Sequence, residues 1–280
     1  MHIFMYNLSY TIQSMLGFNS LFSLTSDPLK DTLLLYKRVT EQYRNPVILK
    51  IIRSLIPDKI VSQTIDYVNI VPLLKWFKDD FMRWTPKDPV CEKCINAHSI
   101  RSDGPGGISN NTSSTRLVAP MQAQIIAGNS WKIRKVEIFR CNSCNYEYSF
   151  PRYGEILKIA ETRTGRCSEW SMLFGAILSS LEIKARIVHD FLDHCWNEAI
   201  LYPNGKWVHV DFTLDYPISL NHPYYYEENW RKEYEYVLAF SADKIEDVTQ
   251  RYTLQWEAIK QRRLKTKKNV MDFPKVYSGI

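Results

Sequence analysis

The sequence contains no run of about 18 or more apolar residues, so no membrane-spanning helix is expected. Its start, MHIFMYNLSYTIQSMLGF, is mildly apolar, but it has no charged leading region and is broken by Asn7, Ser9, Gln13 and Ser14. That argues against a secretory signal. No internal repeat is present, and over most of the chain there is no excess of one charge. Lys and Arg number 36 against 30 Asp and Glu, a net charge of +6. Lys260, Arg262, Arg263, Lys265, Lys267 and Lys268 account for all of it, and without them the balance is 30 against 30. A nucleic-acid-binding body is therefore excluded, and the basic end reads as a solvated, frayed segment. Apolar residues at 45% and charged residues at 24% of 280 exclude a disordered or collagen-like chain and suffice for a sizeable core. The 8 Trp, 17 Tyr and 12 Phe suit sugars and stacked bases, but each ring is first of all core material.

Residues 28–45 read as an amphipathic helix, with Leu29, Leu33, Tyr36 and Tyr43 at helical spacing. Val47–Leu55 reads as a second helix stopped by Pro57, and residues 70–84 as a third, carrying Leu73, Trp76, Phe77, Phe81 and Trp84. Residues 99–115 form a Gly/Ser/Asn-rich loop, and 131–140 alternate like a half-exposed strand. A helix over 167–181 precedes strand-like runs at Ala185–His189, Cys195–Leu201 and Trp207–Phe212, the last two joined by Pro203-Asn204-Gly205, a hairpin signal. Residues 234–241 look like a further strand. A helix followed by an antiparallel run is an α+β pattern.

Four of the six cysteines form two C-x2-C knuckles, Cys91 with Cys94 and Cys141 with Cys144, separated by 46 residues (95–140). Paired knuckles suit tetrahedral zinc, and four thiolates leave no open position, so one structural ion is expected. Without a secretory signal, disulfides are disfavoured. Cys167 stands apart in TRTGRCSEW, where Gly165 precedes it and an apolar helical run follows. A thiolate at a helix N-terminus is stabilised by unpaired N–H groups. A cysteine nucleophile needs a base, and the base an orienting group. His194 and Asp211 lie across the hairpin in that chain order, with His189 and His209 as rival bases and Asp190, Asp193 and Asp215 as rival carboxylates. Spacing does not choose among them.

The ordered strings LLKWFKDDFMRW, the two knuckles, FPRYGE, TRTGRCSEW, DHCWNE, WVHVD, Asn229–Trp230 and YVLAFSADKIEDVTQRY together resemble the peptide:N-glycanases of the transglutaminase-like cysteine hydrolases, from about residue 73 to about 252. The resemblance implies an α+β papain/transglutaminase-like core with N-terminal helices and a four-cysteine zinc-knuckle subdomain. It implies an amidase that releases intact N-glycans from misfolded glycoproteins in ER-associated degradation, converting asparagine to aspartate. Cys167 is then the nucleophile, His194 the general base and acid, and Asp211 the orienting group. Arg186, Trp196, Glu198 and Trp230 are implied to line the cleft for the innermost sugars. A proteasome-shuttle protein with ubiquitin-like and ubiquitin-binding domains is the implied partner, and the cytoplasm, with the nucleus also allowed, the implied location.

The chain departs from the family's pattern at Cys195, where an aliphatic residue is usual, and at Leu214, where a sugar-holding glutamate is usual. The segment from Asp211 to Asn229 and the loop between the knuckles also look longer. A non-catalytic adaptor for misfolded glycoproteins or shuttle factors is the alternative function. The sequence divides into a helical region (1–88), a zinc-binding region (89–148), a catalytic core (149–256) and a basic tail (257–280), the minimal form of such a protein.

Overall fold

In the computed structural model the described residues are 28–87, 89–94, 115–118, 133–203 and 205–266. The chain start, most of the 99–115 loop, Asn204, Lys267 and Lys268 lie outside them. The chain forms two compact units, one containing residues 84–155 and the other residues 27–83 with 156–280.

The first unit is an antiparallel sheet of β1 (Thr115–Val118), β2 (Ile133–Cys141) and β3 (Glu147–Tyr153), in that order. Phe150 pairs with Glu137 across it, and Ile138, Phe139 and Phe150 are buried. The sequence pattern finds β2 and misses β3. The reason is Pro151, which breaks a strand pattern but is tolerated here because β3 is an edge strand.

The second unit begins with α1 (Pro28–Gln42), α2 (Pro46–Arg53), α3 (Asp58–Val61) and α4 (Ile70–Lys75), the last running into a π-helical turn, Trp76–Phe81. Asn45 caps α2 by accepting from the Val47 and Ile48 N–H groups. Helix α5 (Ile156–Thr162) leads to α6 (Cys167–Ser180). Ser168 through Leu178 are all buried, as expected of a helix that is apolar on every side. Helices α1, α2 and α5 pack on α6. Phe77 of the π turn meets Phe174 of α6 at 4.9 Å and Phe212 at 5.2 Å, ring centre to ring centre. Burial of each such ring contributes about 1.5–3 kcal/mol.

The sheet follows: β4 (Ala185–His189), β5 (Cys195–Ile200), β6 (Trp207–Val210), β7 (Leu238–Phe240) and β8 (Ile245–Asp247), in the antiparallel order β8-β7-β4-β5-β6. Helix α6 packs on β4 and β5. Strands alternate faces, so Val188 and Trp196 join a separate cluster with Tyr226, Tyr234, Tyr252 and Ile259. Tyr226 belongs to α7 (Tyr225–Trp230) and Ile259 to α8 (Trp256–Thr266).

Helix α8 corrects the frayed-end reading over its length. Ile259 is buried, the Arg262 guanidinium donates to the Tyr234 carbonyl at 2.8 Å, and Arg263 donates to the Glu235 carbonyl and to Asp247. Otherwise the α+β expectation holds, and among the described residues no helix is long and apolar enough to cross a membrane.

Candidate active site and metal centre

Cys167 is the first residue of α6, and its neighbours explain how it is presented. Arg166 is the N-cap in extended conformation, and the Glu169 carboxylate accepts the Arg166 N–H at 3.0 Å. Gly165 makes room for that capping side chain, since a Cβ there would sit 2.4 Å from the Glu169 Cβ. One turn along, the Ser171 hydroxyl donates to the Trp196 carbonyl at 2.8 Å and pins α6 to β5. At Gly175 the backbone is approached closely by the Tyr43 ring, whose hydroxyl donates to the Met172 carbonyl at 2.7 Å.

His194 arrives on a tight turn built by Asp190, whose Oδ1 accepts the N–H groups of Leu192, Asp193 and His194 at 2.9, 3.1 and 3.0 Å. The Cys167 Sγ lies 3.7 Å from the Asp193 carbonyl of this turn. Beyond β6, Asp211 places its Oδ2 2.7 Å from His194 Nε2. Its Oδ1 accepts from the Thr213 N–H at 2.9 Å and the Thr213 hydroxyl at 2.7 Å. With Nε2 given to Asp211, His194 is left to meet Cys167, with which it hydrogen-bonds, through its other nitrogen.

The electrostatics are those of an ion pair. A hydrogen bond from the Cys195 thiol, joined by the hydrogen bond and charge of His194, outweighs burial and holds the Cys167 thiol well below its ordinary range. Burial pushes the His194 imidazolium down, but the facing Asp211 carboxylate and the Cys167 thiolate overcome it and raise His194 to about 10. Burial likewise opposes the charge on Asp211, yet His194 holds that carboxyl well below the usual carboxylate range. The arrangement is a buried thiolate–imidazolium pair, charged at neutral pH.

The rivals are placed elsewhere. His189 accepts the Phe191 N–H through Nδ1 and packs on Tyr36. His209 sits behind Asp211 and hydrogen-bonds Tyr226. Asp190 pairs with Lys232 at 2.9 Å, Asp193 also contacts Lys232, and exposed Asp215 pairs with Lys78.

The sugar-cleft residues divide. Trp230 is 40% exposed and meets the His194 ring edge-on at 5.0 Å, so it flanks the histidine with an open surface. Arg186, Trp196 and Glu198 are buried, at 2%, 0% and 0% exposure, and are held by partners inside the protein. Arg186 and Glu198 are opposite one another in the β4–β5 register and form an ion pair at 2.5 Å. The Arg186 guanidinium also covers the Trp207 ring at 4.1 Å, and Glu198 accepts the Tyr252 hydroxyl at 2.8 Å. Trp196 stacks on Tyr226 at 4.6 Å. The physical reason is mutual neutralisation, since a paired Arg and Glu can be buried where a single one cannot. Leu214 is half-buried against the same cluster. Sequence reasoning missed Tyr226, Thr213 and Lys232, each of which touches the triad or the turn carrying it. The YYYEENW string was the available signal.

In the other unit, Cys91, Cys94, Cys141 and Cys144 gather with all four sulfurs within 4.8 Å of one another, a group that could hold a metal ion. The second knuckle is the turn between β2 and β3, where Asn145 takes a left-handed conformation and donates its N–H to the Cys141 carbonyl. Backbone N–H groups of Cys144 and Ser143 draw the Cys141 thiol down to about 6, which favours the ligating thiolate.

These features define a class. The sequence matches the Transglutaminase-like superfamily over residues 120–212 and the Rad4 transglutaminase-like domain over 192–276, and the chain carries a transglutaminase-like domain. Curated relatives from Saccharomyces cerevisiae, Caenorhabditis briggsae and Homo sapiens are more particular: each of these is named peptide-N(4)-(N-acetyl-beta-glucosaminyl)asparagine amidase. The one from Saccharomyces cerevisiae is 38% identical over 69% of this chain and 48% of its own length. Those from Caenorhabditis briggsae and Homo sapiens are 34% and 32% identical, over 78% and 76% of this chain and 33% and 30% of theirs. The chain thus spans between about a third and a half of the length of these relatives. Among solved structures, the Rad4–Rad23 complex crosslinked to undamaged DNA shares 12% identity at a TM-score of 0.44, over 81% of this chain and 47% of that one.

Proposed function

We propose that this chain is an amidase that cleaves the bond between asparagine and an N-linked glycan, releasing the glycan intact and leaving aspartate. The observation that carries the reading is the Cys167 thiol beside a His194 imidazole held 2.7 Å from Asp211, in a chain whose relatives are named for that reaction. The Cys167 thiolate attacks the side-chain amide carbon, and backbone N–H groups near Cys167 are suited to the oxyanion. His194 gives its proton to the departing glycosylamine, leaving a thioester. It then takes a proton from water, which attacks the thioester carbon and frees aspartate and the thiolate. Asp211 orients His194 throughout. Trp230 offers the sugar an apolar face at the mouth of the site.

The four-cysteine group fits one zinc ion in a structural role. Zn–S bonds of about 2.3 Å in a tetrahedron require sulfurs about 3.8 Å apart. Cys91–Cys144 at 3.6 Å and Cys94–Cys141 at 3.8 Å agree. Cys91, Cys94, Cys141 and Cys144 would hold the ion, closing its coordination sphere. None of the six cysteines is in a disulfide, which fits a reducing compartment such as the cytoplasm. The substrates on this reading are misfolded N-glycoproteins in ER-associated degradation, with a proteasome-shuttle protein as partner.

The test is mass spectrometry of a denatured high-mannose glycoprotein incubated with the wild type and with Cys167→Ala. Loss of the whole glycan with asparagine converted to aspartate, absent in the variant, is expected. No conversion by folded, zinc-loaded wild type would discard the amidase and leave the adaptor.

A further inference from the structure

Behind the triad lies a line of hydrogen bonds with no part in the mechanism just given. Asp211 Oδ2, which receives His194, also accepts the Tyr226 hydroxyl at 2.7 Å. The Tyr226 oxygen lies 2.6 Å from His209 Nε2, and His209 Nδ1 accepts the His222 backbone N–H at 3.3 Å. Tyr226, His209 and Asp211 are buried, at 0%, 1% and 0% exposure.

The sense of this line follows from its last member. A backbone N–H can only donate, so His209 Nδ1 is an acceptor. The proton of neutral His209 is then on Nε2 and points at the Tyr226 oxygen, which turns the Tyr226 proton toward Asp211. A carboxylate only accepts, so His194 must give Asp211 its Nε2 proton and keep the other nitrogen for Cys167. The tyrosine itself cannot swing away, because its ring is stacked on Trp196 at 4.6 Å and packed against His194 and Trp230 at 5.3 and 5.2 Å. The buried Trp196 thereby acquires a role as the backing of this ring.

We propose that Tyr226 is a positioning residue of the active site, fixing the Asp211 carboxylate and, through it, the His194 tautomer, with His209 setting the direction of the Tyr226 hydrogen bond. For its substrate this rests on the amidase reading; for its geometry it does not. Asp211, His194, His222 and Arg251 bear on His209 by charge, and the titratable Tyr226 and Tyr252 pack against its ring; burial outweighs Asp211 to hold the imidazole down to about 4, so it is neutral at working pH.

Three measurements test this. In the wild type, nitrogen-15 NMR of labelled histidine is expected to show His209 neutral with its proton on Nε2 at pH 7; a proton on Nδ1, or a charged ring, overturns the proposal. The second uses Tyr226→Phe, which keeps the stacked ring. Its kcat is expected to fall at least tenfold with KM unchanged. With one donor fewer on Asp211, the imidazolium is held more tightly, so the alkaline limb of Cys167 alkylation by iodoacetamide moves to higher pH. An unmoved limb overturns the proposal, whether or not activity drops. His209→Gln, which retains an N–H donor, is expected to keep most of the activity that His209→Leu loses; equal loss in both also overturns it. If the wild type deglycosylates nothing, the amidase reading falls, while the alkylation limb and the tautomer still decide this one. If Tyr226→Phe does not fold, the wild-type tautomer decides alone.

Discussion

Lys232 Nζ lies 2.9 Å from Asp190 Oδ2, with the lysine side chain 10% exposed and the aspartate 0%. The other oxygen of Asp190 holds the turn from Leu192 to His194, so the pair sits at the base of the structure that delivers the histidine. Lys232 also touches Asp193, whose carbonyl faces the Cys167 sulfur.

Lys232→Met leaves Asp190 as a buried charge with no cation. Removing one partner of such a pair costs about 3–5 kcal/mol. The variant is expected to lose that stability in urea denaturation and to alkylate Cys167 more slowly, because His194 is less well held. Adding Asp190→Asn to Lys232→Met is expected to restore part of the stability. Equal stability of Lys232→Met and wild type would show that the pair is solvent-screened and holds nothing.

Gly165→Ala probes how closely the cap of α6 is built. The added Cβ meets the Glu169 Cβ at 2.4 Å, where no flexible end can give way. Overpacking of this kind costs about 1–3 kcal/mol. The shift is expected to displace the first turn and with it Cys167, so thermal unfolding and iodoacetamide reactivity should fall together. A variant with full reactivity and unchanged unfolding would mean that the helix start relaxes freely.

How much of this could be read from residues alone differs element by element. Helix α6 was legible because its apolar run is long and Cys167 stands at its start, and the hairpin was legible from Pro203-Asn204-Gly205. Helix α7 was not: six residues give no period to detect, so Tyr226 stayed hidden in a run of three tyrosines. Helix α8 was obscured by its charges, since only Ile259 and the partly buried Trp256 are its apolar contacts with the cluster among the described residues, and its arginines bind backbone carbonyls that no pattern reveals. Arg186 and Glu198 look like surface residues in sequence, and only the β4–β5 register shows that they neutralise each other inside. The choice of His194 over His189 and His209 needed the strands' facing directions, which spacing does not supply.

The four-cysteine group predicts a separable effect. Cys141→Ser removes the ligand whose thiolate is most favoured by its backbone surroundings. Metal analysis of the purified protein is expected to find about one zinc per chain in the wild type and clearly less in the variant, since losing one thiolate opens the coordination sphere and weakens the hold on the ion. Hydrogen exchange is expected to show loss of protection in β2 and β3, which the second knuckle joins. Full protection in a zinc-depleted variant would show that the sheet stands without the ion.

The pH dependence of stability follows from the same ion pair that makes the nucleophile. His194 is raised in the folded protein from an ordinary value of 6.5 to about 10, chiefly by Asp211 and Cys167 acting against burial. A group whose folded value is raised stabilises fully below its unfolded value, and that contribution is lost as pH rises through the folded value. Stabilisation by the His194 charge is therefore complete below about pH 6.5, declines above it and is gone above about pH 10. Asp211 is shifted the other way, so its share is present above the ordinary carboxylate range and lost in acid. Because Cys167 gives up on folding the proton that His194 gains, the two offset each other in the wild type; the gap in urea midpoint between Cys167→Ala and Cys167→Ala/His194→Gln, measured between pH 6 and pH 10, isolates the histidine and is expected to close as pH rises. A gap that stays constant over that interval would mean that the histidine is neutral in the folded protein.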